Sequence, residues 1–117
     1  MTSLRTQALL WYAQRISAMV LAVCVVVHLG GIIYAVRGGL TAADILSRTR
    51  GNWEVGAFYG LFVIACAVHA PIGIANIVAE LSGGRGTRHV LVAQFFALLI
   101  LVLGLRAVYA VVGMAGP

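Results

Sequence analysis

The sequence predicts an all-α membrane protein of three spanning helices, and three observations predict it. Of 117 residues, 62% are hydrophobic and only 9% are charged, too apolar a balance for a soluble domain of this size. The apolar residues gather into long runs: 21 uncharged residues separate Arg15 from Arg37, and 25 run from Val55 to Ala79 without a charge. At about 1.5 Å rise per residue, about 20 residues cross a hydrocarbon core of about 30 Å. Third, Trp11, Tyr12 and Tyr34 flank the first run, where amphipathic rings sit at membrane interfaces.

The first span is expected over about residues 9–36, after a short polar start with Arg5. Its apolar stretch is too long for a signal-peptide core, so it is expected to be retained. Gly38-Gly39 breaks the helix, and Thr41 is placed to cap a short interfacial segment, Ala42 to Leu46, before Arg48, Arg50, Gly51 and Asn52. The second span is expected over about 54–81. Its Gly56 and Gly60 form a GxxxG pair suited to close helix packing, and Pro71 removes one ladder N–H in mid-helix. Ser82 to Arg88 make a tight connection, and the third span is expected over about 89–112, ending in a Gly-Met-Ala-Gly-Pro tail. Residues 1–117 thus form a single membrane domain.

All eight basic residues are arginine, and the net charge is +5. They stand mostly at the ends of the apolar runs, without the interleaved aromatics that nucleic-acid binding requires, so they are read as membrane orientation and headgroup contact. Arg5, Arg15, Arg85 and Arg88 fall on the N-terminal side, and Arg37, Arg48 and Arg50 on the other. That margin favours a cytoplasmic N-terminus in a bacterial inner membrane. Cys24 and Cys66 lie inside apolar runs without CxxC spacing, as small thiols and not a metal pair.

Ionisable side chains at membrane depth are expensive, which makes them functional candidates. His69 is the first: at about 100° per residue, His69, Gly73, Asn76 and Glu80 share one stripe of the second span. His28 is the second, on a first-span face with Gln14, Ser17, Leu21, Cys24 and Gly31. An imidazole there is satisfied either by an interhelical hydrogen bond or by the iron of a haem. Neighbouring glycines, Gly31 and Gly73, let a flat macrocycle approach the backbone. Counting from the far ends of their helices puts His28 about 12 Å deep and His69 about 21 Å deep. That gap of about 9 Å argues against one shared iron and for two haems. Arg106 is expected near the level of His28, either snorkelling to the interface or opposing a haem propionate. His89 is read as an interfacial side chain, with a haem propionate or a partner subunit as other contacts. Glu80 is either a solvated charge or a proton relay to a quinone.

The element His69-x3-Gly73-Ile74-x-Asn76-x3-Glu80 resembles the second-helix haem motif, H-x3-G-I-x-H-x3-D, of the membrane-anchor cytochrome b subunits of succinate dehydrogenase and fumarate reductase. Asn76 stands for the second histidine and Glu80 for the aspartate. Gln14-Arg15-Ile16-Ser17-Ala18 is similar to the family's H-R-x-S-G, and His28 follows Gln14 by the 14 residues that precede the distal-haem histidine of two-haem members. The resemblance implies haem b at His69 and His28, and a quinone near Arg15, Trp11, Ser17 and Glu80. Trp11 replaces the family's quinone-site serine. It also implies flavoprotein and iron–sulfur partners, since the chain has no GxGxxG and no run of cysteines. A second membrane chain, a different subunit or a copy of this one, must supply the missing axial histidines. The implied function is electron relay between the soluble pair and membrane quinone, with no activity expected from the chain alone. Two other readings fit the residues: a haem-free quinone-binding anchor, and a small helical transporter or assembly protein.

Overall fold

The computed structural model describes residues 3–84 and 87–113, so Arg85 and the tail beyond Gly113 lie outside the described residues. Four helices follow in order: α1 Leu4–Gly38, α2 Ala42–Thr49, α3 Trp53–Leu81 and α4 Arg88–Val112. Three of them, α1, α3 and α4, are long and apolar enough to cross a membrane. The all-α, three-span fold expected from the sequence is the fold observed, and no strand occurs among the described residues.

Local chemistry sets each boundary. Helix α1 begins five residues before the expected start because Ser3 caps it, its hydroxyl accepting from the Thr6 N–H at 3.2 Å. It stops at Gly39, whose φ of 127° is open to glycine and to few other residues. The short segment after it is a real helix, longer than expected by three residues. Thr41 and Asp44 close a reciprocal capping box: the Asp44 N–H donates to the Thr41 hydroxyl at 3.1 Å, and the Thr41 N–H donates to Asp44 Oδ2 at 3.2 Å. The Thr41 hydroxyl and amide hold the Asp44 carboxyl below the usual carboxylate range, with Arg48 adding to the effect. Asn52 starts α3 by accepting from the Glu54 and Val55 N–H groups. Gly83 and Gly84, at φ 69° and 71°, end the turn after α3.

Helix α3 is the hub. It packs along α4 on one side and α1 on the other, while α1 and α4 do not pack closely on each other. The expected glycine contact is half present. A Cβ at Gly56 would sit 3.1 Å from Val112 Cγ1, so Gly56 does let α4 approach, whereas one at Gly60 would meet nothing within 4 Å. The closest approach is made by a glycine the sequence did not single out, Gly104, where a Cβ would fall 2.6 Å from Val63 Cγ1. The pairs Gly104–Val63 and Gly56–Val112 fix the antiparallel register of α3 and α4.

Loop and α2 residues close the far end of the bundle. Thr49 Oγ1 donates to the Val111 carbonyl at 2.6 Å, and the Gly51 N–H donates to the Val112 carbonyl at 2.8 Å. These are carbonyls that the end of α4 leaves without an intrahelical partner. Large apolar side chains face outward from the spans, among them Val26, Ile64 and Leu98. Cys24 is buried and Cys66 half-buried, and both are free thiols.

Candidate functional site

The two polar faces read from the sequence meet each other. Ser17 and Cys24 of α1 are buried, and α3 turns its own stripe toward them. Ser17 Oγ lies 3.3 Å from His69 Nδ1, and the bare face of Gly73 is taken by the Gln14 amide, whose nitrogen is 3.5 Å from where a Cβ would be. Higher on the same interface, the Tyr59 hydroxyl lies 2.9 Å from His28 Nδ1, with Tyr59 and Phe62 edge-on to the His28 ring.

The Ser17 hydroxyl has one proton, and it donates that proton to the Gln14 carbonyl at 3.0 Å. With that proton on the Gln14 carbonyl, the Ser17 oxygen is placed to accept from a His69 Nδ1–H, the tautomer that keeps the lone pair at Nε2. Among the described residues no hydrogen bond engages Nε2 of His69 or of His28, and neither atom is sealed from the surface. A ring held through Nδ1 with a free Nε2 is the state in which histidine ligates a metal. No three His, Cys, Asp or Glu side chains cluster as a bare-ion site among the described residues. A haem needs only axial ligands from protein, and these two imidazoles fit that demand.

The same pairs give the depths. Ten residues of α3 separate Tyr59 from His69, so the rings lie about 15 Å apart along the bundle. The sequence reading gave about 9 Å because it took the far ends of α1 and α3 as level. In fact His28 pairs with a residue six positions after Trp53 while standing ten before Gly38, so α1 overhangs α3 by about one turn. At that spacing the two rings of one chain cannot meet on a single metal ion.

The other expected residues fall in three places. Gly31 faces open space, with nothing within 4 Å of a Cβ there. Arg106 is exposed on α4; the Gly104–Val63 register puts it near the level of Tyr59 and His28, but α4 does not pack on α1, so the two are not brought together. Arg15 is exposed and lies over the Trp11 ring at 5.0 Å from its centroid, and Glu80 is exposed at the end of α3. Ser17, grouped with the quinone residues by the resemblance, is instead spent on His69 and the Gln14 carbonyl.

At the N-terminal end, α1, α3 and α4 line an open-sided cavity of about 580 Å³. Of the expected quinone residues only Trp11 lines it; Arg15, Ser17 and Glu80 do not. Its polar wall comes from Gln7, Gln14, Asn76, His89 and Gln94. Gln7 and Gln94 carried no signal in the sequence beyond being amides in apolar helices. Tyr59 was missed for a similar reason: a tyrosine near a helix end reads as an interface ring, and only tertiary packing turns it onto His28. No protein family, no curated protein and no solved structure matches this chain.

Proposed function

We propose that this chain is a membrane-anchor haem b subunit of a succinate dehydrogenase or fumarate reductase type complex, helping electrons pass between a soluble flavin and iron–sulfur pair and membrane quinone. The observation that carries the proposal is the seating of the His69 ring: Nδ1 lies 3.3 Å from the Ser17 hydroxyl, and among the described residues no hydrogen bond engages Nε2. The likeness of His69-x3-Gly73-Ile74 to the family's haem motif supports it independently.

In this reading His69 and His28 would each help hold a haem through Nε2, and another membrane chain would complete each site. Bound haem b supplies one-electron transfer within the membrane. The chain's own residues do the holding. Ser17 and Tyr59 aim the two rings through Nδ1, as partners of ligating histidines do in metal sites. Gly31, one turn from His28, leaves the adjacent surface bare for a flat group. Arg106 offers a guanidinium near that level to a propionate of a haem shared with a neighbouring chain.

The test is a reduced-minus-oxidised visible spectrum of the complex purified in mild detergent. A b-type band that His69→Ala diminishes or removes supports the proposal. A flat spectrum in an active complex overturns it in favour of a haem-free quinone anchor. One observation favours that second reading: Ser17–His69 and His28–Tyr59 already work as interhelical hydrogen bonds.

A further inference from the structure

An open-sided groove of about 320 Å³ lies at the far end of the bundle, between α2, α3 and α4. Its wall is apolar, built from Ile45, Val63, Ala107 and Val108, with Thr49 and Tyr59 as its two polar side chains. Both are engaged: the Thr49 hydroxyl donates to the Val111 carbonyl at 2.6 Å, and the Tyr59 hydroxyl lies 2.9 Å from His28 Nδ1. A group that needs hydrogen bonds would be stranded there, whereas a hydrocarbon chain gives up nothing. The groove follows α4 from Gly104 to Val111, about 10 Å at a rise of about 1.5 Å per residue. That is the shape of a slot for an extended chain.

The mouth of the groove carries a cation. Thr49 belongs to the wall, and the Gly51 N–H is bonded to the Val112 carbonyl at 2.8 Å, so Arg50 between them is held beside the end of α4. Arg50 is exposed, and its guanidinium forms no hydrogen bond or ion pair among the described residues. Of the acids at this end, Asp44 is turned onto Thr41, and Glu54 is exposed at the start of α3 with no ion pair among the described residues. Trp53, three residues after Arg50, is 76% exposed, an aromatic ring of the kind that sits at the headgroup layer. An apolar slot that ends beside an arginine at that level matches a lipid with an anionic headgroup in both of its parts.

We propose that this groove seats one acyl chain of an anionic phospholipid from the far leaflet, with Arg50 at its phosphate. The site goes beyond the electron-transfer reading and does not rest on it, since no residue of the wall is among the expected haem or quinone contacts. Tyr59 forms part of the wall and its hydroxyl meets His28, so a seated chain also limits how far Tyr59 can swing from that ring.

The test is native mass spectrometry of the intact complex released from nanodiscs of phosphatidylcholine with a minor share of phosphatidylglycerol, reading the lipid retained per copy of this chain. One phosphatidylglycerol per copy is expected. Ala107→Phe puts a ring into the slot and is expected to lower that retention about tenfold. Arg50→Gln is expected to lower it about fivefold, with Arg50→Lys recovering most of the loss. Arg5→Gln, at the opposite end, should leave it unchanged. So should removal of residues 114–117, which follow α4 in sequence and lie outside the described residues. A phosphatidylglycerol with a diazirine on its acyl chain, given to the unaltered complex, is expected to label peptides from 45–49 and 104–111, which keeps the test decisive if a variant does not fold. Phosphatidylcholine retained equally well, unchanged retention in both Ala107→Phe and Arg50→Gln, more lipid bound once the tail is removed, or labelling confined to other faces or to a partner subunit would each overturn the site.

Discussion

Helix α3 is held to its two neighbours by different physics. Against α4 the contact is close, made possible by Gly104 under Val63 and Gly56 under Val112. Against α1 it is polar, made by Ser17 with His69 and by His28 with Tyr59. In a bilayer, apolar surface alone does not drive helices together, so close packing and interhelical hydrogen bonds are the two available adhesives. This chain uses one on each side. The polar side carries two imidazoles, each with one nitrogen that no hydrogen bond engages among the described residues.

The comparison can be broken on the packed side first. Gly104→Ala puts a methyl where Val63 already stands, and is expected to cost about 1–3 kcal/mol, read as a lower midpoint of thermal unfolding in detergent. Gly60→Ala is the internal control: its Cβ meets nothing, so the same measurement should show no loss, and a gain of up to about 1 kcal/mol from helix propensity is allowed. Equal losses at both glycines would mean that close approach is not what binds α4.

On the polar side, Ser17→Ala removes a buried hydroxyl and leaves His69 Nδ1 without its partner. The expected loss is about 1 kcal/mol, together with a shifted haem midpoint potential if His69 is an axial ligand. An unchanged potential would limit Ser17 to structure. Tyr59→Phe keeps the ring and loses only the hydroxyl, for an expected cost of about 0.6 kcal/mol, the average found for interhelical bonds in membranes. A double-mutant cycle with His28→Phe should recover that coupling, and additive losses would show the pair does not interact.

The smallest effect lies outside both interfaces. The Asp44 carboxyl titrates below its ordinary range because Thr41 donates to it. A lowered folded value stabilises the charged form, so the contribution is complete above the ordinary carboxylate value. It is lost as the pH falls through the folded value, below about pH 4. Amide exchange in α2 is expected to accelerate there, and Asp44→Asn should flatten that dependence.

Much of this was legible in the sequence because a membrane writes its constraints plainly. Uncharged runs of 21 and 25 residues allow few readings other than spans, and Thr41 marks the start of the short helix it caps, while Asp44's answering bond came from the structure. The faces holding His28 and His69 followed from helical periodicity, and they do meet. What periodicity cannot supply is register between helices. The overhang of α1, and therefore the true spacing of the histidines, depends on Ser17 finding His69 and Tyr59 finding His28. The cavity was hidden for the same reason. Gln14 and His89 are 75 positions apart, and neither is unusual until three helix ends converge around them.

The first loop is seated on the last helix. Thr49 and Gly51 reach carbonyls of Val111 and Val112, more than 60 positions later in the chain. During synthesis this loop is made and displayed well before its anchorage exists, so it stays open until the final span emerges and turns back beside it. Truncating the chain before Val111 should therefore leave residues 49–51 accessible to protease on the far face, while the full-length protein resists cutting there.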